Sequence, residues 1–479
     1  MGHREGIFGF VMAGFGSRQR KWSAGRFVAL ALGVSAPVLF WAATTYAPDN
    51  WSWQHLTQPL AAVNAAERQF DGTAQQAEQR TPSATSTTPE VMPKAPPPLG
   101  TRRPLSEVPN DGSPEGRLLE VYRLIGEGKM REALARAQKL TQDIPNFQLA
   151  QLTYGDLLLA QTMPLQTVGN APSTLSDKAS ERIGQLRTEA LRRIAALQER
   201  PPVGAIPKSF IELPASTRHA IAVDASRSRI YLFENRGNGL QLVDDHYASI
   251  GKLGAEKSVQ GDQRTPIGVY YITSRLEPSQ LTDFYGAGAL PLNYPNEHDK
   301  RLGRTGSGIW VHGVPSDSYA RSPQSTDGCV ALANPELKAI MDRVQPRTTP
   351  VVIARQLEWV EPQAQEGERR SLRNLIEGWR VARSSGDMNR LLNFYSPKFS
   401  SGAKDLSQWR QQLSQEAGTG RARNLQIKDL AILAWHDRSD LMVVTFGEVA
   451  ENQTTGVIKR QYWTKEDGLW KIFFEGVIG

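Results

Sequence analysis

A histidine and a cysteine near the middle of the chain have the residue types of a base and a nucleophile. Cys329 is the only cysteine among 479 residues, and His312 precedes it by seventeen positions at the end of an apolar run. A thiolate nucleophile needs a base within hydrogen-bond reach, and donors for the oxyanion that forms when it attacks a carbonyl. The pair therefore predicts acyl-transfer chemistry if the fold brings the two side chains together.

The single cysteine excludes an intramolecular disulfide and a cysteine-based zinc site. Its simplest alternative role is an inert thiol packed in a core as a small apolar side chain. The neighbouring residues favour the chemical interpretation. Gly313 lets the backbone approach closely beside His312, and Gly328 permits a sharp turn that would expose the sulfur and aim backbone N–H groups at the oxyanion.

The segment from Ile309 to Leu337 resembles the active-site signature of the L,D-transpeptidase family, a β-rich cysteine domain that remodels peptidoglycan. Two blocks upstream, Gly261 to Ile272 and Tyr285 to Asp299, resemble the family in the same order. The resemblance covers residues 206–357. The positions that match the signature are His312, Gly313, Thr326, Gly328, Cys329, Val330 and Asn334.

The resemblance implies a role for each of these site residues. Cys329 would be the nucleophile, His312 its base, and the Gly313 carbonyl the group that orients the imidazole. No cofactor is implied. The positions that would support the oxyanion and the nucleophile are Thr326, Asp327 and Gly328.

Two positions depart from the family signature. Asp327 stands where most members have a second histidine, and Ala331 stands where most have an arginine. A carboxylate beside a thiol raises the thiol's pKa unless it is paired. We therefore expect the Asp327 side chain to point away from Cys329 or to accept a backbone N–H.

The loop block also contains candidates for substrate contacts and for a metal. Tyr285, Asn293 and Tyr294 could line the substrate groove, although structural packing is an alternative for all three. The consecutive residues Glu297 to Asp299 could suggest a metal, but three adjacent loop positions do not converge on one ion. We expect no metal site.

The N-terminal residues 1–47 predict a cytoplasmic stub and a signal anchor. Phe27 to Tyr46 is an uncharged apolar run long enough to cross about 30 Å of hydrocarbon. Basic residues precede the run, which places the N-terminus in the cytoplasm and the remainder in the periplasm, at the inner membrane. A cleaved signal peptide is the alternative, and it leads to the same compartment.

Residues 48–112 are rich in Ala, Gln, Thr and Pro and predict a disordered linker. Residues 113–205 have a helical pattern whose layout resembles a degenerate tetratricopeptide (TPR-like) hairpin. Its last helix, Ser180 to Glu199, is heptad-like. That helix could form a homodimer, or it could simply pack on the domain that follows.

Residues 206–357 alternate short strands and turns, and His219 to Phe233 predicts a β-hairpin. A linker at 358–369 leads to residues 370–479, where helices followed by strands predict an α+β layout. Asn374 to Phe399 and Gln461 to Gly476 resemble the NTF2-like cone fold. No acid–base set is evident there, and His436 with Asp437 or Asp440 is interpreted as a surface turn.

The predicted fold class is therefore multidomain: a membrane anchor and α-helical region, a β-rich L,D-transpeptidase catalytic domain, and a C-terminal α+β NTF2-like domain. The formal net charge of +7 is compatible with an anionic cell wall or lipid surface. No basic stripe interleaved with aromatics indicates nucleic acid.

The resemblance implies a substrate and leaves the outcome of the reaction open. Thiolate attack at diaminopimelate in a tetrapeptide stem of peptidoglycan would release the terminal D-Ala and leave an acyl-enzyme on Cys329. An amine acceptor gives a transpeptidase, which we take as the first hypothesis. Water gives an L,D-carboxypeptidase, as in the cell-shape enzymes of helical bacteria that this domain order resembles. A wall-binding scaffold with an inactive site is the non-enzymatic alternative.

Overall fold

The computed structural model describes residues 111–170, 174–237, 239–418, 424–435, 438, 440–450, 453 and 455–478. The predicted anchor Phe27 to Tyr46, most of the linker 48–112, and the pair His436 and Asp437 lie outside these residues. No helix within the described ranges combines the length and the apolar character needed to span a membrane. The described residues all belong to one compact unit.

The region predicted to be helical contains four helices in its described part. The side chains of Ser113 and Ser176 cap the first and the last helix by accepting the N–H of Gly116 and of Ala179. Successive helices pack against one another around a shared apolar core. The likeness to tetratricopeptide repeats stays a prediction. The helices are α1 (Pro114–Gly126), α2 (Met130–Asp143), α3 (Gln148–Leu159) and α4 (Asp177–Gln198).

The heptad-like face of α4 packs within this chain. Leu186, Ala190 and Ile194 lie in the helical core, which also takes in Tyr319 and Ala333 from the central domain. Of the two roles considered for this helix, packing on the following domain is the one these contacts display. Dimerisation stays a prediction.

A buried ion network joins the helical region to the central domain. Glu115 at the start of α1 pairs with Arg193 of α4 at 2.7 Å and with Arg229 of the central domain at 2.6 Å. Arg229 also pairs with Asp245 at 2.6 Å. Burial alone would raise the pKa of Glu115, but the two guanidinium groups outweigh it and lower that pKa to about 2.

The central domain is β-rich, as predicted. The hairpin predicted over His219 to Phe233 is present as two paired antiparallel strands, β3 and β4. The strands up to residue 360 are β1 (Ile206–Pro207), β2 (Phe210–Glu212), β3 (His219–Asp224), β4 (Arg229–Asn235), β5 (Leu240–Tyr247), β6 (Ile250–Gly251), β7 (Gly268–Tyr271), β8 (Ala289–Pro291), β9 (Trp310–His312), β10 (Gln324–Thr326), β11 (Val330–Ala331), β12 (Pro350–Ala354) and β13 (Trp359–Val360).

Two sheets enclose the core of the central domain. One sheet has the order β5-β4-β3-β12-β7, and the other has the order β11-β9-β8. Alternate residues such as Ile221 and Val223 of β3 point into the space between them, where they meet Val311 of β9 and Val330 of β11. The short helices α5 (Glu297–Arg301) and α6 (Asn334–Met341) complete this domain. In the smaller sheet, β9 ends at His312 and β11 begins directly after Cys329, so this core holds both candidate catalytic residues in place.

Among its described residues, the C-terminal domain has three α-helices and four long antiparallel strands. The helices are α7 (Glu366–Ser385), α8 (Met388–Leu392) and α9 (Leu406–Gly418). The strands are β14 (Ser400–Ser401), β15 (Lys404–Asp405), β16 (Gln426–Ala434), β17 (Leu441–Val449), β18 (Val457–Glu466) and β19 (Leu469–Val477). Trp379 and Trp463 lie at the centre of its core. This is the predicted order of helices followed by a sheet.

The central and C-terminal domains share structure. Strand β2, from the segment predicted to begin the central domain, pairs with β16 at the edge of the C-terminal sheet. The outer face of the central sheet, including Tyr231 and Phe233, packs with Leu433 and Tyr462 of the C-terminal domain in one buried cluster. The two domains therefore form a continuous apolar interface.

Candidate active site

The sheet register brings Cys329 next to the strand that ends in His312. Strands β9 and β11 run parallel, with Val330 opposite Val311 and Ala331 opposite His312. Cys329 immediately precedes β11, and its Sγ lies 3.4 Å from the backbone nitrogen of Trp310. Cys329 therefore lies two residues before Ala331, the residue that is paired with His312 on the adjacent strand.

His312 is buried, and its ring is oriented by its own neighbour. The Nδ1 atom lies 2.6 Å from the carbonyl oxygen of Gly313. Because a carbonyl can only accept, this contact assigns the ring proton to Nδ1 and leaves the Nε2 lone pair available. Burial lowers the pKa of His312 to about 4, against the opposing effect of the Gly313 carbonyl. The imidazole is therefore neutral near pH 7, as a general base must be.

Asn334, a position that matches the family signature, fixes the backbone around Gly313. Its Oδ1 accepts the N–H of Ala287 at 2.9 Å and of Val314 at 3.1 Å, and its Nδ2 donates to the Val314 carbonyl at 2.9 Å. A Cβ on Gly313 would collide with the Asn334 side chain. The absence of a side chain at Gly313 therefore permits the packing that holds His312.

The turn before Cys329 is held by Thr326. The buried Thr326 hydroxyl donates to the Cys329 carbonyl at 2.7 Å and accepts the Gly328 N–H at 3.2 Å. Gly328 has φ +129°, and a Cβ there would lie 2.7 Å from the Arg264 carbonyl oxygen. The Gly328 N–H thus already donates a hydrogen bond to the Thr326 hydroxyl. It could donate to the predicted oxyanion only if it gave up that bond.

The surroundings of the thiol keep it protonated at rest. Burial raises the pKa of Cys329, and the nearby Asp327 adds to that effect. The Trp310 N–H opposes the rise because it donates toward the sulfur. Together with the low pKa of His312, this describes a neutral thiol beside a neutral imidazole. The proton would then move from sulfur to Nε2 as the sulfur attacks.

Asp327 points away from the thiol, in line with one of the two orientations expected from the sequence. Its side chain is 73% exposed and pairs with Lys252 at 3.0 Å. Gln263 also donates to it at 3.2 Å. This pairing places the carboxylate at the solvent edge of the turn.

Aromatic rings border the imidazole. The Tyr285 ring meets the His312 ring edge to face at 5.2 Å and lies 4.8 Å from the Trp310 ring. The Phe284 ring lies 6.1 Å from that of His312 and is 47% exposed. The structure therefore brings Tyr285 to the site, together with two aromatic residues that the sequence argument missed. Trp310 could have been suspected because it lies two positions before His312 on the same strand.

Asn293 and Tyr294 make other contacts. Asn293 accepts the Tyr271 N–H at 2.7 Å, and the buried Tyr294 donates its hydroxyl to the Thr305 carbonyl at 3.2 Å. Neither contact involves Cys329 or His312. The predicted substrate contact of these two residues stays a prediction, which these bonds do not support.

The side chains of Glu297, His298 and Asp299 diverge. Glu297 pairs with Lys300, His298 packs on the Trp435 ring at 4.8 Å, and Asp299 pairs with Arg304. Within the described ranges, no group of three or more His, Cys, Asp or Glu side chains is arranged to hold a metal ion.

Two family models match parts of the chain. Residues 218–353 match YkuD, the L,D-transpeptidase catalytic domain. The chain carries an L,D-transpeptidase catalytic domain. Both Cys329 and His312 lie within the matched residues. Residues 371–476 match the Cds6 C-terminal NTF2-like domain, so both resemblances noted in the sequence are confirmed.

Two solved structures are similar to 57% of the chain. Bd1075 of Bdellovibrio bacteriovorus is 26% identical with a TM-score of 0.50, covering 57% of this chain and 98% of its own. The helical cell shape determining protein Pgp2 of Campylobacter jejuni is 21% identical with a TM-score of 0.45, covering 57% and 94%. No curated protein sequence matches the chain significantly.

A cavity of about 480 Å³ lies between the L,D-transpeptidase domain and the NTF2-like domain. Tyr271 and Asn293 of the first domain and Arg460 and Tyr462 of the second are among the residues that line it. The Arg460 guanidinium stacks 3.3 Å from the centre of the Tyr271 ring. The NTF2-like domain is thus packed directly on the L,D-transpeptidase domain.

Proposed function

We propose that this chain is a peptidoglycan-modifying cysteine L,D-transpeptidase that acts on diaminopimelate-containing tetrapeptide stems. The observation that carries the proposal is the neutral imidazole of His312, with Nε2 available, on the strand next to Cys329. A non-catalytic scaffold would need neither the pair nor the Gly313 contact that orients it.

In the first half-reaction, Sγ of Cys329 attacks the carbonyl of the L-centre of diaminopimelate while its proton passes to Nε2 of His312. The tetrahedral intermediate then expels the amine of the terminal D-Ala, which takes that proton from His312. A thioester on Cys329 remains. In the second half-reaction, His312 deprotonates an acceptor amine, which attacks the thioester and restores the thiol.

L,D-carboxypeptidation is the second candidate, with water as acceptor and a tripeptide stem as product. Asp327 and Ala331 favour it, because the family's histidine and arginine are missing where donor or acceptor contacts could be made. The order of helical region, L,D-transpeptidase domain and NTF2-like domain also resembles that of cell-shape carboxypeptidases. The first half-reaction is common to both candidates.

The proposed location is the periplasm. The apolar run Phe27 to Tyr46, with basic residues before it, would anchor the chain in the inner membrane or serve as a cleaved signal. Peptidoglycan stems would then be within reach of Cys329 through the linker 48–112. Fractionation of cells that produce the chain, with protease protection, tests this location.

The deciding experiment is to incubate the purified full-length protein with disaccharide-tetrapeptides and separate the products by mass. Cross-linked dimers support the transpeptidase, and tripeptides with free D-Ala support the carboxypeptidase. Unchanged substrate in the presence of folded protein would leave only the scaffold. Cys329→Ala is the matched control, and it should give no product of either kind.

A further inference from the structure

The positively charged side chain of Arg321, which matches no position of the family signature, lies beside Cys329 and His312. Arg321 belongs to the loop between β9 and β10, and its guanidinium carbon lies 4.3 Å from the centre of the Phe284 ring. Its Nη2 approaches the Phe284 carbonyl oxygen at 3.5 Å. The Phe284 ring in turn lies 6.1 Å from that of His312. Arg321 is therefore held on the His312 side of the site.

The helical region fixes the loop on both sides of Arg321. Tyr319 donates its N–H to the Asn146 carbonyl at 3.1 Å. The Ser322 hydroxyl accepts from Arg182 and donates to Gln185, at 3.0 and 3.1 Å. With anchored residues one and two positions away, the Arg321 backbone is already placed before a ligand arrives.

The charge of Arg321 is not neutralised by a neighbouring carboxylate. None of the ion pairs among the described residues includes it, although it is half-buried. Burial lowers its pKa, while the nearby Cys329 and Asp327 raise it. A partly desolvated cation without a counter-ion is costly unless an anion binds there. The charge on the His312 side of the site could therefore bind an anionic ligand.

The chemistry of the first half-reaction supplies such an anion at this place. His312 must protonate the leaving amine, so the leaving residue lies on the His312 side of Cys329. The carboxylate of a C-terminal D-Ala is separated from that amine by a single carbon. We propose that Arg321 binds this carboxylate and so selects stems that end at the residue to be released. Arg321 would thereby supply the cation that is missing at Ala331.

This assignment rests on the proposed first half-reaction, which transpeptidase and carboxypeptidase share. The test compares two substrates: a disaccharide-tetrapeptide with a free C-terminal carboxylate, and the same compound with a C-terminal carboxamide. Release of D-alanine or D-alaninamide is measured as kcat/KM. The wild type should prefer the carboxylate at least about 10-fold, as one charge-assisted hydrogen-bonded pair allows.

Arg321→Ala should remove most of that preference by slowing the carboxylate substrate and leaving the carboxamide nearly unchanged. Arg321→Lys should retain part of the preference because the charge is kept. Arg355→Ala, at an exposed arginine paired with Glu256, is the matched control and should leave both rates unchanged. Equal slowing of both substrates by Arg321→Ala would mean that Arg321 acts on Cys329 or on the loop alone, and would overturn the assignment.

A measurement on the wild type avoids any folding defect of the variants. Free D-alanine should inhibit competitively and at least about 10-fold more strongly than D-alaninamide, for the same electrostatic reason. Equal inhibition by the two compounds would overturn the assignment while leaving the proposed function intact. Failure of the wild type to release D-alanine from the first substrate and D-alaninamide from the second would overturn the proposed function and the assignment together.

Discussion

Nδ1 of His312 lies 2.6 Å from the carbonyl oxygen of Gly313, the next residue in the chain. A backbone carbonyl thus has the orienting role that a carboxylate has in a Ser-His-Asp triad. A carbonyl carries no net charge, so it does little to stabilise an imidazolium, and burial keeps the ring neutral. The His312 ring therefore stays neutral near pH 7 unless a reacting group transfers a proton to it.

Replacement of either member of the catalytic pair should abolish turnover. Cys329→Ala removes the sulfur, and His312→Gln removes the base while keeping a polar side chain. We expect a fall in D-alanine release from disaccharide-tetrapeptide of roughly 10³-fold or more for each variant. Thermal denaturation should show that both variants remain folded. Substantial residual activity in folded Cys329→Ala would contradict the mechanism.

In the pH profile of kcat/KM, the loss of activity on the acid side should occur at an unusually low pH. His312 acts as base only when neutral, and with its pKa at about 4 it stays neutral until the pH falls to that value. Activity should therefore be flat from about pH 5.5 to 8 and fall below about pH 5, because kcat/KM reports the free enzyme. Initial rates measured under conditions where the protein stays folded test this. A midpoint near pH 6.5, the ordinary value for histidine, would contradict the burial effect.

Asn334→Ala should damage the site without removing a reacting group. The substitution leaves the N–H groups of Ala287 and Val314 without their acceptor and frees the backbone beside Gly313. We expect a loss in kcat/KM of about 10- to 100-fold. We also expect the free energy of unfolding to fall by about 1–3 kcal/mol. Asn293→Ala is the comparison: unchanged activity would mean that Asn293 does not contact substrate, and a large rise in KM would support the contact predicted from the sequence.

Glu115→Gln should destabilise the contact between the helical region and the L,D-transpeptidase domain. Two buried arginines, Arg193 and Arg229, share this carboxylate. Removing the charge leaves both under-compensated, and we expect the free energy of unfolding to fall by about 3–5 kcal/mol. Glu127→Gln, at the exposed end of α1, should lower it far less, because solvent screens that carboxylate. Denaturant unfolding curves measure both values, and equal effects would contradict the importance of the network.

Titration of Glu115 should also lower the free energy of unfolding at acid pH. Its folded pKa of about 2 lies below the ordinary value, so its contribution is complete above about pH 4.5 and is lost as the pH falls toward 2. The difference in unfolding free energy between wild type and Glu115→Gln should therefore shrink over that range. A difference that stays constant down to pH 2 would contradict the lowered pKa.

His298 should contribute to acid sensitivity at the domain interface. Burial, with neighbouring arginines, lowers its pKa to about 4, and its ring packs on Trp435 of the NTF2-like domain. Between about pH 6.5 and 4 the unfolded chain takes up a proton that folded His298 does not, so the folded state loses stability as the pH falls. His298→Gln removes this titration, and its melting temperature should fall less over that range. Identical pH dependence in the two proteins would contradict the prediction.

The residues of the site differ in how far the sequence revealed them. Cys329, His312 and Gly313 could be proposed as site residues because their spacing in the chain is short and is part of the family signature. Phe284 and Arg321 could not, because each reaches the site from a loop whose residue types are unremarkable by themselves. Asn334 matched the signature, but its three hydrogen bonds depend on a loop that is distant in sequence.

The sequence by itself singled out Cys329 and His312 as candidates, and it determined the β3–β4 hairpin and the succession of helical, β-rich and α+β regions, because local spacing and periodicity encode them. Only the tertiary structure decided that β2 joins the C-terminal sheet, that α4 packs within the chain, and that Asp327 turns to Lys252. It also decided that the Tyr285 ring contacts the His312 ring, whereas Asn293 and Tyr294 form hydrogen bonds with other residues. These outcomes depend on contacts between residues far apart in the chain, where packing and charge pairing leave no periodic signal.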